Sequence, residues 1–171
     1  MTKVEDKYDN LSEKEQIKLI KLNPYNIKYI KNPSIKSQEL AIKKYPYLIK
    51  YIKNQSEEIQ EIAINKNIWS IKYIDNPTKK IQEIAINKKI YTIFYIKNPD
   101  ENIVINTLLK FPWIMKSNYD KTNRKLPIDY FNNLSYNVQS KLIENNINFV
   151  YLIKNLNPIL KEKYKNISNY I

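Results

Sequence analysis

The sequence predicts an all-α protein, a right-handed α-solenoid of about six two-helix repeats. Residues 59–78 and 81–100 are identical at 14 of 20 positions, and the copies are offset by 22 residues. Within a copy, apolar residues such as Ile59, Ile62 and Ala63 follow the i, i+3, i+4 spacing of a helix with one buried face, without the alternation typical of strands. Because a helix pair of this length cannot bury its apolar face alone, stacked neighbours would have to supply the core.

Further copies appear when the frame moves by 22 residues in either direction. The aligned rows include Gln16, Gln38, Gln60 and Gln82; Ala41, Ala63 and Ala85; Ile27, Ile49, Ile71 and Ile93; and Tyr29, Tyr51, Tyr73 and Tyr95. A fifth copy keeps the first half of the pattern over 101–117, and a sixth, over 135–157, places Gln139 on the glutamine row. The copies therefore cover most of the chain.

One domain is expected, because 171 residues can bury a sizeable core but are too few for two substantial ones. The repeat frame divides this single α-solenoid domain, residues 1–171, into an N-terminal cap (1–11), repeats 1 to 5 (12–116), an irregular insertion (117–134) and repeat 6 with a C-terminal cap (135–171).

Each copy is predicted to contain two short helices. The first begins after a serine, threonine or aspartate, whose side-chain oxygen can cap the free amides of the first turn, and Ser12 with Glu15 matches a capping box. The second is expected to end at the Asn-Pro step. Since the chain has no glycine, asparagine would take the left-handed position that closes many helices.

The pattern Asn-Pro-Ser/Thr, then Ile-Gln-x-x-Ala-Ile-x-Lys, then an apolar and aromatic half resembles the short helical repeats of proteins from bacteriophages and large DNA viruses. It is also similar to the leucine-rich variant repeat, a HEAT-like stack of short helical segments. The resemblance covers about 12–116 and 135–157. It implies a superhelical fold and a viral, phage or mobile-element origin, which suits the abundance of residues with AT-rich codons, and it implies no catalytic activity.

The composition removes most of the common catalytic machinery and leaves only carboxylates, lysine, tyrosine or serine for catalysis. The chain has no histidine, cysteine or glycine, so it lacks an imidazole base, a thiolate metal site and a glycine-rich phosphate loop. It contains neither a signal-type apolar segment near its start nor an apolar run long enough to span a membrane. We therefore predict a cytoplasmic protein that is not an enzyme and binds no cofactor, metal or membrane.

Aromatic columns and a lysine row mark the predicted second helices. Their rings could pack between repeats while the lysines complement helix dipoles; alternatively, both could contact a partner. The irregular segment is either a connector or a recognition loop. The candidate partner-binding residues are Tyr29, Lys50, Tyr51, Trp69, Lys72, Tyr73, Tyr91, Tyr95 and Trp113 of the repeats, with Arg124, Lys125 and Tyr130 of the irregular segment.

The charge pattern bears on the kind of partner. The chain is basic, with a net charge of +12, but residues 34–55 and 78–99 each carry +4 whereas residues 56–77 between them carry −2. A track for a polyanion should not reverse sign at its centre, and Arg124 is the single arginine. We therefore predict stoichiometric binding of a host protein or nucleoprotein complex, for example as an anti-defence inhibitor of a CRISPR complex. Direct nucleic-acid binding through the lysine and tyrosine columns is the alternative.

Overall fold

A computed structural model describes residue 8, residues 10–116 and residues 133–168 of the chain. Over these residues the structure is all-helical, without strands, and successive helix pairs pack against one another. This confirms the predicted all-α class. The chain divides into two compact units, residues 1–98 and 99–171. No helix in the described ranges is both long enough and apolar enough to cross a bilayer.

The first unit contains four copies of one helix pair. The α-helices are α1 (Glu13–Leu22), α2 (Ile35–Lys44), α3 (Glu57–Lys66) and α4 (Lys79–Lys88), followed in turn by 3₁₀ helices at Pro24–Tyr29, Pro46–Tyr51, Ile68–Tyr73 and Ile90–Tyr95. The repeat frame and the two-helix unit are thus as predicted. The second element is a 3₁₀ helix closed by bonds between residues three apart, as from the Ile30 amide to the Ile27 carbonyl.

The α-helices begin where the capping pattern places them. The Ser12 hydroxyl accepts from the Glu15 amide, and the Glu15 carboxylate accepts from the Ser12 amide at 2.8 Å, which completes the capping box. The hydroxyls of Ser34, Ser56 and Thr78 accept in the same way from the amide three residues on. These starts depend on residues within a single copy, so they could be found without a tertiary structure.

The expected left-handed asparagine at the end of the second helix is wrong for the first three copies. Each 3₁₀ helix ends at a tyrosine and is followed by an isoleucine in extended conformation, such as Ile74. Among the described residues only Asn98 has a positive φ, 49°. The side chain of this isoleucine is buried in the core in each of the three copies. Asparagine acts instead at the start of a 3₁₀ helix, where the Asn23 side chain accepts from the Tyr25 amide at 3.0 Å.

One hydrophobic cluster extends from Ile20 to Ile96 through the first unit. Its inner rows are fully buried and consist of Ile27, Ile49 and Ile71 on the 3₁₀ helices and Ala41, Ala63 and Ala85 on the α-helices. Small alanine side chains at these positions let neighbouring α-helices approach closely. The core is therefore shared between copies, as expected for repeats that cannot fold singly.

Buried glutamines link some of the copies to the next one along the chain. The Gln16 amide donates to the carbonyls of Leu11 (3.0 Å) and Asn32 (3.4 Å), and its Oε1 accepts from the Ser34 amide at 2.8 Å. In the second unit Gln139 makes the same three bonds with the equivalent backbone groups. Gln16 and Gln139 thus connect the loop before their own helix to the loop that leads into the following helix.

The second unit contains the fifth and sixth copies. Its helices are α5 (Glu101–Lys110), a 3₁₀ helix at Pro112–Lys116, α6 (Tyr136–Asn145), α7 (Phe149–Leu152), α8 (Pro158–Lys163) and α9 (Lys165–Ser168). Helix α6 packs on α5, and the Glu101 carboxylate accepts from Ser135 (2.5 Å) and Asn137 (2.7 Å). Stacking therefore continues from the fifth to the sixth copy. Most of the predicted irregular insertion, residues 117–132, lies outside the described residues.

Candidate functional site

The last two residues of the first three 3₁₀ helices form a surface that we call the lysine–tyrosine row: Lys28, Tyr29, Lys50, Tyr51, Lys72 and Tyr73. Each ammonium nitrogen lies 4.6–4.8 Å from the centre of the tyrosine ring that follows it. The Lys50 ammonium also lies 5.7 Å from the Tyr73 ring of the next copy. These are cation–π distances, and the row therefore continues across copies.

The lysines of the row carry exposed charge. Lys28, Lys50 and Lys72 are all exposed, and none of them forms an ion pair with a carboxylate in the part of the chain that the structure describes. Hydrogen bonding to the Tyr29 side chain, with a further contribution from Tyr51, raises the pKa of Lys28 above its usual value. The Lys28 ammonium therefore remains charged at neutral pH.

The tyrosine rings of the row are occupied rather than free. Each has an ammonium against its face, and the Tyr29 ring also stacks on Tyr8 with 5.5 Å between ring centres. A base that stacked on these rings would have to displace such contacts. The groups that the row offers to a partner are its ammonium nitrogens and phenol hydroxyls.

The acidic third copy does not interrupt this surface. Glu57 and Glu61 pair with Lys80 of the next copy at 3.4 and 2.8 Å, and Asp75 pairs with Lys97 at 2.5 Å. Three of the acidic side chains that make residues 56–77 negative are thus engaged by lysines of the fourth copy. The negative charge of residues 56–77 is thus partly neutralised by neighbouring lysines. This weakens the argument that the change of sign along the chain excludes a continuous basic surface.

The predicted candidates separate into three groups. Tyr29, Lys50, Tyr51, Lys72 and Tyr73 come together in the lysine–tyrosine row. Arg124, Lys125 and Tyr130 lie outside the described residues, and the remaining four candidates lie elsewhere.

Trp69 and Tyr95 contact each other edge to face, with 5.3 Å between ring centres, and both are half-buried. Trp113 belongs to the second unit, where it is exposed and packs against Phe111. Tyr91 lies outside the row, and its side chain is only 5% exposed, far less than the side chains of Tyr29 and Tyr51. Its 3₁₀ helix carries no lysine, and the position equivalent to Lys72 is the buried Phe94.

Three tyrosines beside the row form a second feature, the tyrosine cluster: Tyr25, Tyr45 and Tyr47. Their ring centres lie 5.2–6.2 Å apart, and the hydroxyls of Tyr25 and Tyr47 are hydrogen-bonded to each other. The Lys50 ammonium, 5.9 Å from the Tyr47 ring, connects the cluster to the row. Sequence reasoning placed Tyr25 and Tyr47 in an aromatic column but missed Tyr45, which stands where the first and third copies have asparagine.

The hydroxyl pair should be visible in a titration. The hydrogen bond with Tyr25 is the main cause that raises the pKa of Tyr47 to about 12. We expect Tyr25→Phe to return the Tyr47 pKa toward 10, its ordinary value, in a pH series followed by NMR of ¹³C-labelled tyrosine. Because folding raises the pKa of Tyr47, the hydroxyl pair stabilises the folded protein fully at pH values below the ordinary tyrosine pKa. That contribution is lost as the pH rises toward about 12. An unchanged Tyr47 titration in the variant would show that the hydroxyls do not interact.

In the described ranges no three histidine, cysteine, aspartate or glutamate side chains come together as possible metal ligands. Comparison with protein-family models, curated proteins and solved structures finds no match for this chain. Its function has to be inferred from the surface itself.

Proposed function

We propose that this chain is a non-enzymatic binding protein whose lysine–tyrosine row binds an acidic surface of another protein. In the proposal the stacked pairs of the first unit form a right-handed α-solenoid, which would present the row as one surface. The protein would act by occupying its partner in stoichiometric amounts rather than by chemistry.

The observation that carries the proposal is the set of three exposed ammonium groups, in register over tyrosine rings and without carboxylate partners among the described residues. Such a row is complementary to carboxylates, and complementary charge steers association and fixes the register of a complex. Tyrosine supplies contact area at low cost in conformational entropy and is enriched at interfaces. Acidic protein surfaces therefore fit the row well.

The biological form that we propose is a phage or mobile-element protein that inhibits a host protein or nucleoprotein complex in the host cytoplasm, such as a CRISPR complex. Its supports are the repeat pattern, the short chain and the absence of histidine, cysteine and glycine. Inhibition is a separate claim from binding, and its test requires an identified partner.

Direct binding of nucleic acid is the second candidate. This candidate is favoured because lysines of the fourth copy pair with acidic side chains of the third, so that these carboxylates do not interrupt the basic row. Two observations weigh against it: the ring faces carry ammonium groups, so they are not open to bases, and arginine, which suits bidentate phosphate contacts, is nearly absent.

Charge reversal of the row tests the proposal. We expect the variant Lys28→Glu, Lys50→Glu, Lys72→Glu to lose about tenfold or more of the partner protein that the wild-type chain captures from a lysate of its natural host, quantified by mass spectrometry. The matched control reverses three exposed lysines of α-helices outside the row: Lys14→Glu, Lys66→Glu and Lys141→Glu. It has the same net charge and should retain the partner.

Nucleic acid is tested with the same two variants. Fluorescence anisotropy with a single-stranded poly-dT probe and a DNA duplex at about 50 mM salt should show no binding by the wild-type chain. Binding that falls steeply with salt and disappears in the row variant alone would establish the alternative.

In the lysate experiment, capture of every partner by the row variant at the wild-type level would overturn the proposal.

A further inference from the structure

A pocket of about 470 Å³ opens between the first two copies, where α1 and α2 end. This volume is in the range of sites that hold a small ligand or a side chain of a partner. Its apolar and aromatic lining includes Leu22, Tyr25 and Tyr45, and its charged lining consists of Lys21 and Lys44. None of the described residues that line it is acidic, so this lining combines an apolar wall with positive charge.

Leu22 departs from the repeat in a way that concerns this pocket. The positions equivalent to it in the next four copies are all lysine: Lys44, Lys66, Lys88 and Lys110. The Leu22 side chain is 83% exposed, so it contributes little to the core. Leu22 is therefore an exposed apolar side chain at a position where the next four copies carry a charge. It is available to contact a ligand.

Tyr45 is a second, independent departure in the same pocket. At the equivalent positions of the first and third copies, Asn23 and Asn67 cap a 3₁₀ helix by accepting from an amide two residues on, at 3.0 and 3.1 Å. Tyr45 makes no such side-chain bond, and neither does Lys89 in the fourth copy. The Tyr45 ring packs instead against Tyr25, with 5.2 Å between centres, and forms part of the pocket wall.

We propose that this pocket binds an acidic peptide segment of the partner protein through one apolar anchor side chain. The anchor packs on Leu22 and the tyrosine rings, and carboxylates on either side of it reach Lys21 and Lys44. Neither lysine forms an ion pair with a carboxylate in the described part of the chain. An apolar anchor in a pocket with polar groups at its edge is the usual arrangement of an interface hot spot.

The pocket and the lysine–tyrosine row form one continuous surface. Tyr25 contacts Tyr47, whose ring lies 5.9 Å from the Lys50 ammonium of the row. The inference rests on the proposed function, since the acidic partner that binds the row would also supply the anchor. The row contributes charge along the surface, and the pocket contributes the position at which the partner is fixed.

Peptide titrations test the pocket without a known partner. The probe is acetyl-Asp-Asp-Phe-Asp-Asp-amide, and the comparison peptide has Ser in place of Phe. In ¹H–¹⁵N NMR spectra we expect the Phe peptide to shift the amides of Leu22, Tyr25, Lys44 and Tyr45 and to bind about fivefold or more tightly than the Ser peptide. Equal affinities, or shifts centred elsewhere, would overturn the proposal. Tighter binding of laurate than of the Phe peptide would overturn it too, since the pocket would then be a site for small amphiphiles.

Two substitutions introduce the residue that other copies carry at the same position, so we expect both to preserve the fold. Leu22→Lys and Tyr45→Asn should each weaken the Phe peptide by about tenfold, although Leu22→Lys adds a positive charge that attracts an acidic probe. The control is Ile35→Glu, which removes another exposed apolar side chain outside the pocket, at a position where Glu57 and Glu101 stand in other copies. It should bind the peptide as the wild-type chain does, and circular dichroism should show native helicity in all three.

Partner capture separates this inference from the proposed function. If the charge-reversed row variant loses the partner while Leu22→Lys and Tyr45→Asn retain it, the proposed function stands and the pocket inference fails. If the row variant retains every partner, the proposed function fails. The pocket inference then fails too, because it assumes that the partner of the row also supplies the anchor side chain. Loss of the partner in both sets of variants, with retention in both controls, is the expected result.

Discussion

Replacement of Gln16 by methionine should lower the free energy of unfolding by about 2–4 kcal/mol. The substitution keeps the side-chain volume but leaves the Leu11 and Asn32 carbonyls and the Ser34 amide without their partner. Backbone groups that lose a partner at a partly buried position are costly, and here they belong to two copies. Urea unfolding followed by circular dichroism measures the overall loss, and hydrogen exchange at the Ser34 amide measures the local one.

Gln60 offers a matched control for the glutamine bridge. Its amide donates to the carbonyls of Gln55 and Asn76, but its Oε1 has no hydrogen-bond partner. Gln60→Met should therefore cost about 1 kcal/mol less than Gln16→Met. If Gln16→Met unfolded at the wild-type urea concentration and its Ser34 amide kept full protection, the bridge would not contribute to stability.

Truncation of Ile71 to alanine should cost about 2–5 kcal/mol, the range measured for large-to-small changes in cores. Ile71 is completely buried in the row that connects the 3₁₀ helices. Because the 3₁₀ helix of Ile71 packs on α3 of its own copy and on α4 of the next, the substitution should increase hydrogen exchange in α3 and α4 as well as in its own 3₁₀ helix. Urea unfolding and exchange mass spectrometry measure the two effects.

The comparison for Ile71 is Ile35, which is 62% exposed. Ile35→Ala should change the free energy of unfolding by no more than about 0.5 kcal/mol. Similar losses from the two substitutions would contradict the burial pattern. An effect of Ile71→Ala confined to its own helix would contradict a core shared between copies.

The starts of the α-helices could be predicted because a cap is a local interaction. Ser12 and Glu15 lie three residues apart, and their bonds form whatever the neighbouring copies do. The ends of the 3₁₀ helices could not be predicted in this way. Ile74 is extended at the end of its helix, and its side chain is buried in a core to which other copies contribute.

The candidate site shows the same division. The period placed tyrosines and lysines on equivalent positions, and the structure brings five of the candidates together in the row. The period did not distinguish Tyr91 from the exposed tyrosines, because its burial follows from the neighbours of its helix. Leu22 and Tyr45 could have been found by asking which positions break the repeat, although their common pocket could not.

From its residues alone, this chain specifies the repeat length, the helix starts and the rows of tyrosine, lysine and glutamine, since each depends on spacing within or between identical copies. Which members of those rows are buried, paired or exposed was settled by packing. Gln16 reaches a backbone amide 18 residues further along the chain, and Lys80 pairs with a glutamate 19 residues earlier. Such contacts exist only once neighbouring copies have stacked, which is why the surface offered to a partner became visible only in the tertiary structure.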